Sequence, residues 1–136
     1  FFPEEAKEQV LLDLSFNMKS IVAQQLIPSA DQTRRWAAVE ILLATPLVQE
    51  RIRNGEINEL KKIMKESAQH GMETFDQALF ALYESAAISY EEAMRNADSK
   101  NELRLRIKLE SKRDSSIADQ QSESLRIMEE DTARTF

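Results

Sequence analysis

Few residues in this sequence are of a type that performs chemistry at neutral pH. There is a single histidine, His70, and there are adjacent carboxylates at Glu4-Glu5, Glu91-Glu92 and Glu129-Glu130. An imidazole can serve as a general base because it titrates near pH 7. His70, however, stands just before Gly71 at a helix end, where the dipole favours a cation, so a helix-end histidine is the reading. Adjacent carboxylates on a helix point in different directions, so these pairs read as helix starts or solvated faces rather than acid-base couples. Arg104, Arg106, Lys108, Lys112 and Arg113 form a basic run that could hold phosphate. It is interleaved with acidic and apolar residues, and reads as a salt-bridged, solvated face.

Phosphate chemistry needs close backbone approach, and the sequence offers little for it. No G-x-x-x-x-G-K-[ST], G-x-G-x-x-G or G-x-S-x-G motif occurs, and two glycines in total cannot build such loops. With no cysteine there is no disulfide framework and no thiolate metal site, which suits a reducing compartment. A net charge of −6 opposes binding to phosphate backbones, so nucleic acid is not an expected partner. No window approaches the roughly 18 apolar residues of a membrane span, and the acidic start does not resemble a signal sequence. A chain that opens on Phe1 rather than methionine is expected to be a portion of something longer.

The segment Thr45-Pro46-Leu47-Val48-Gln49-Glu50-Arg51-Ile52-Arg53-Asn54-Gly55 carries the most suggestive spacing. Thr45 can cap a helix with Pro46 at its first position, and Gly55 supplies the left-handed stop. Two arginines on so short a helix could reach across a protein interface. The bland alternative puts Leu47, Val48 and Ile52 in a core.

The elements that must position these residues are mostly helical. The apolar fraction is 42%, charged residues make up 31%, and glycine and proline number only 2 and 3, which disfavours a turn-rich β fold. Val10, Leu11, Leu14, Met18, Ile21 and Val22 recur at helical spacing and predict one long amphipathic helix over about 3–25. Apolar runs at 24–27 and 36–44 flank a polar loop at 28–34 and could pair as strands at a sheet edge. Ile57, Leu60, Met64 and Ala68 predict a further helix ended by Gly71. Thr74 with Gln77 makes a capping box ahead of Phe75, Leu79, Leu82 and Ala86, and Ser89-Glu92 and Ser99-Glu102 start shorter helices. Residues 103–109 alternate like a strand but are good helix formers, and helix is expected. Beyond Ser111 the polar composition predicts a mobile tail that tolerates truncation after about Arg113.

Read in order, Phe2-Pro3-Glu4-Glu5, Arg35-Trp36-Ala37-Ala38-Val39-Glu40-Ile41-Leu42, Thr45-Pro46-Leu47, Ile52-Arg53-Asn54-Gly55-Glu56, Gly71-Met72-Glu73-Thr74-Phe75-Asp76-Gln77-Ala78-Leu79 and Asn96-Ala97-Asp98-Ser99 resemble one family. It is that of the type IV pilus twitching-motility ATPases. Ile88-Ser89-Tyr90-Glu91-Glu92-Ala93 and the block from Asn101 to Leu109 resemble the PilU branch of the PilT/PilU retraction ATPases most closely. The likeness covers roughly residues 1–110.

The resemblance implies a mainly α chain: the helical C-terminal part of a RecA-like P-loop ATPase core, with one short β-hairpin or sheet-edge strand pair. Residues 1–44 would be the end of the core, 45–110 a helical subdomain and 111–136 the tail. The parent would be a homo-hexamer using ATP and Mg to drive pilus retraction at the cytoplasmic face of the inner membrane. It would work with a paralogous retraction ATPase and an inner-membrane pilus platform. The segment itself would lack ATP chemistry, need no cofactor and support subunit coupling. By position in the family's retraction motif, Leu47, Val48, Arg51, Ile52 and Arg53 carry over as the coupling residues, although Gln49-Glu50 departs from its usual pattern. Arg35 would lie near nucleotide or a neighbouring subunit. The alternative is a non-catalytic helical module whose apolar stripes at 10–22 and 75–86 form partner grooves or a core of their own.

Overall fold

In the computed structural model, which describes residues 3–113, the chain runs from a helix into a β-hairpin and then through five helices in succession. Pro3 precedes α1 (Glu4–Asn17), where a residue without a donor does no harm. The helix stops at Met18, whose backbone is extended, and β1 (Ser20–Pro28) begins almost at once. The expected helix over about 3–25 is therefore corrected: Ile21 and Val22 belong to a strand. Their helical spacing was genuine, but β-branched side chains suit a pleated surface, and a nine-residue ladder with β2 (Arg35–Leu43) outweighs local periodicity.

The hairpin is antiparallel, with Ser20 opposite Leu43 and Pro28 opposite Arg35. Its loop is closed by the backbone bond from Ser29 N–H to the Arg34 carbonyl (2.8 Å) and by Asp31. The Asp31 carboxylate accepts the Ser29 and Thr33 hydroxyls and the Thr33 N–H, which lower its pKa to about 2. Ala30 N–H donates to the Ala87 carbonyl (3.0 Å), tying the loop to the far end of α4.

After the hairpin, α2 (Pro46–Arg53) begins where its sequence signals predict, with the Val48 N–H donating to Thr45 Oγ1. It ends in a Schellman turn at Gly55 (φ +74°): Gly55 N–H bonds the Ile52 carbonyl and Glu56 N–H the Arg51 carbonyl. The next predicted helix is broken into three pieces: a 3₁₀ turn (Ile57–Glu59), α3 (Leu60–Glu66) and a second 3₁₀ turn (Ala68–His70) that ends at Gly71 (φ +86°). Its inward residues are Ile63 and Met64, while Ile57 and Ala68 are exposed.

The capping box of α4 (Phe75–Glu84) is complete, with Thr74 N–H donating to Gln77 Oε1 (2.9 Å) and Gln77 N–H to Thr74 Oγ1 (3.3 Å). α5 (Tyr90–Asn96) starts on Ser89, which accepts from Glu92 N–H. α6 (Lys100–Glu110) confirms helix over strand for 103–109, with Leu103 and Ile107 buried and Leu105 and Leu109 exposed. Ser99 makes no side-chain cap; Asp76 reaches from α4 to accept the Asp98 and Ser99 N–H groups (2.9 and 3.0 Å), which fastens the turn into this helix.

Two apolar cores are strung on one face of the hairpin. At its turn end, Ile27 and Ala38 join Leu79, Tyr83, Ile88, Ala93, Leu103 and Ile107. At its open end, Met18 and Leu42 join Val48, Ile52, Ile63, Met64 and Met72. The observed architecture is thus mainly α with one two-stranded sheet. The tail expected after Ser111 falls mostly outside the described residues. Its first three positions are fastened to α4: Glu84 accepts Ser111 Oγ and Lys112 N–H, and Arg113 stacks on Tyr83 at 4.5 Å.

Candidate functional site

The five residues expected to form the coupling motif divide by helix face. Positions 48 and 52 are four apart, so both point inward: Val48 is fully buried and Ile52 is 1% exposed. Leu47 and Arg53 point outward, Leu47 at 44% exposure. Arg51 turns back along its own helix end to pair with Glu56, whose hydrogen bond and charge raise the guanidinium pKa. The side chains free to meet a partner are therefore Leu47 and Arg53. Arg53 opens onto a polar groove of about 630 Å³ between α1 and α2, lined also by Lys7, Glu8, Leu11 and Asn54.

Arg35 occupies the first position of β2, exposed, and makes no ion pair within the described residues. Its neighbour Arg34 instead lies 4.4 Å over the ring of Trp36. His70 is exposed in the 3₁₀ turn before Gly71, away from both cores, as a helix-end residue should be.

The carboxylate pair at Glu91-Glu92 is split between environments. Glu92 is buried and held by Arg95 Nη1 at 2.9 Å and Asn96 Nδ2 at 3.4 Å, and Glu91 faces solvent. Of the basic run, Arg106 pairs with Glu110 (3.0 Å) and stacks on Phe80 (4.3 Å), and Arg113 stacks on Tyr83. These cations serve separate local contacts.

Sequence reasoning passed over a second polar cluster. Lys61 on α3 pairs with Glu40 in the middle of β2 and with Asp98 Oδ2 (2.6 Å), and its ammonium stands 5.7 Å from the Phe75 ring centroid. Partial burial opposes its charge, but the bonds to Asp98 and Glu40 outweigh this and raise its pKa. One turn on, Lys65 bonds Glu102 at 2.8 Å. The available signal was Glu40 itself, a lone charge in an otherwise apolar strand after Arg35.

Gly55 and Gly71 both end helices, so neither is free to shape a phosphate loop, and no three His, Asp or Glu side chains among the described residues converge as metal ligands. No described helix is long and apolar enough to cross a membrane.

No family model matches the sequence. Individual proteins do. Over 98% of its length the chain is 51% identical to the type IV pilus ATPase PilU of Pseudomonas aeruginosa, covering 35% of that protein. It is 32% identical over 75% of its length to a twitching motility protein of Neisseria gonorrhoeae, covering 27% of it. Among solved structures, the pilus retraction motor PilT with bound ADP superposes with a TM-score of 0.60 at 30% identity, over 75% of this chain and 28% of that one. The chain thus spans about a third of the length of its PilU relative, 35%, and less of the others. Over that stretch, in sequence and in fold, it belongs to the PilT/PilU family of type IV pilus retraction ATPases.

Proposed function

We propose that this chain is the C-terminal segment of a hexameric ATPase that powers type IV pilus retraction and twitching motility, and that it supports subunit coupling rather than ATP chemistry. The observation carrying the reading is the 51% identity to PilU across 98% of the chain. Hydrolysis of Mg-ATP belongs to the remainder of the parent protein, and the segment alone is inactive. Residues 1–44 close the RecA-like core, 45–110 form the helical subdomain, and 111–136 are the tail, which tolerates truncation after about Arg113. The parent works at the cytoplasmic face of the inner membrane, with a paralogous retraction ATPase and the pilus platform as partners, and does not bind nucleic acid.

Within the motif helix, Leu47 and Arg53 make the contact with a neighbouring subunit or partner, because their side chains face outward. Val48, Ile52 and Arg51 support them by holding α2 to the core and closing its C-terminal turn. Arg35, exposed and without an ion pair among the described residues, is a further interface residue. The test is the full-length protein carrying Leu47→Ala with Arg53→Ala. ATP turnover should persist while twitching is lost. Twitching at the unaltered level would remove α2 from the coupling path.

A further inference from the structure

What lies between the two apolar cores is polar. On the core face of β2, Ala38 belongs to the first core and Leu42 to the second, and the residue between them on that face is Glu40, whose side chain is 17% exposed. Lys61 covers it and reaches on to Asp98. The next turn of α3 meets α4 and α6 through Lys65 Nζ to Glu102 (2.8 Å) and Gln77 Nε2 to the Lys65 carbonyl (3.3 Å). Beside these contacts runs a cleft of about 940 Å³ between α3, the start of α4 and α6, walled on one side by Leu105 and Leu109.

An apolar seam would hold two bodies in one relation, because parting them exposes hydrocarbon to water. Exposed ion pairs hold far less firmly: each is worth a factor of only about 1.4 to 5 in an equilibrium constant. Lys61, Asp98, Lys65 and Glu102 all have side chains at least half exposed. The covalent and backbone links between the bodies are also slender. They are the two-stranded hairpin, the paired backbone bonds of Ile41 with Glu73 (2.8 and 3.1 Å), and the short connection through Gly71. A two-stranded ribbon on its own is only marginally stable in water.

We propose that the α2–α3 body rocks against the α4–α6 body about the middle of the hairpin, with Lys61, bridging Glu40 and Asp98, as the catch that sets the width of the cleft. Hydrogen exchange in the full-length protein, followed by mass spectrometry, tests this. Lys61→Met keeps the stem over Phe75 and removes the charge. Amides of 57–70 should then exchange at least about fivefold faster, since the exposed Lys61–Asp98 pair is lost and Glu40, 17% exposed, is left without its cation, while those of α4 and α6 keep their rates. Added salt should quicken the same amides in the unaltered protein and add little in the variant. As an independent arm, Lys65→Glu should act in the same direction, and combining it with Glu102→Lys should restore the original rate. Unchanged exchange over 57–70, or an equal rise in α4 and α6, would overturn the proposal, since the cluster would then hold nothing or hold the whole fold.

Discussion

Two neighbouring residues on α2 should respond to the same truncation very unequally. Ile52→Ala removes three carbons from a side chain that is 1% exposed, packed with Val48, Ile63, Met64 and Met72. At about 0.8 kcal/mol per buried CH₂ the transfer loss is about 2.4 kcal/mol. The unfilled space raises the total to about 3 to 4 kcal/mol. Arg53→Ala removes an exposed side chain with no ion pair among the described residues, and should change stability by less than about 0.5 kcal/mol. Urea unfolding of the chain, read from the fluorescence of its single tryptophan, Trp36, measures both. With an m value of about 1.5 kcal/mol/M, Ile52→Ala should lower the midpoint by about 2 M at unchanged slope. A loss below about 1 kcal/mol, or an equal loss from Arg53→Ala, would refute the division of α2 into a buried and an outward face. The distinction bears directly on function. A twitching defect from Ile52→Ala would report unfolding, whereas one from Arg53→Ala would report a lost contact.

Other outcomes follow from single positions. Ala86 sits at φ +57° at the end of α4, where Ala86 N–H bonds the Tyr83 carbonyl and Ala87 N–H the Leu82 carbonyl, so Ala86→Gly should relieve a left-handed alanine and raise stability by about 0.5 to 1 kcal/mol in the same urea assay. Thr74→Ala removes the half of the α4 capping box in which Gln77 N–H donates to Thr74 Oγ1, leaving the backbone N–H of residue 74 to Gln77 Oε1, and should cost about 1 kcal/mol by thermal or urea unfolding. Asp31, with its pKa lowered to about 2, contributes stability that is complete above the ordinary carboxylate value of 3.8 and is lost as pH falls through about 2. Carboxylate NMR titration should place its midpoint near that value, and Thr33→Ala should move it upward.

How legible an element was depended on where its decisive interaction lay. α2 could be read almost residue by residue because Thr45, Pro46 and Gly55 act within a turn of themselves. The capping box at Thr74 and the hairpin loop were legible for the same reason. The opening segment was not. Val10, Leu11, Leu14, Met18, Ile21 and Val22 fit a helical period, but the second half of that pattern is claimed by pairing with residues 35–43, whose register no local rule predicts. Ser99 makes no side-chain cap, and the contact found at that turn, Asp76 accepting the Ser99 N–H from more than twenty residues earlier, is one that no local rule anticipates. At the candidate site the location of α2 was legible from its motif. The inward direction of Val48 and Ile52 required knowing which side the second core would occupy.

Glu40 sharpens the point. In Trp36-Ala37-Ala38-Val39-Glu40-Ile41-Leu42-Leu43 the strand period places its carboxylate on the same face as Ala38 and Leu42, both buried. A charge in that position is costly without a partner, so the sequence alone announces that something cationic must arrive. It does not say which residue, because Lys61, Lys62 and Lys65 all stand nearby on the following helix and only the end of that helix facing the strand can reach. Lys61 stands in the first turn of α3, directly after the 3₁₀ turn Ile57–Glu59, and it is the lysine that pairs with Glu40. The two cores remain separate apolar bodies because this ion pair, rather than a hydrophobic side chain, fills the face between them.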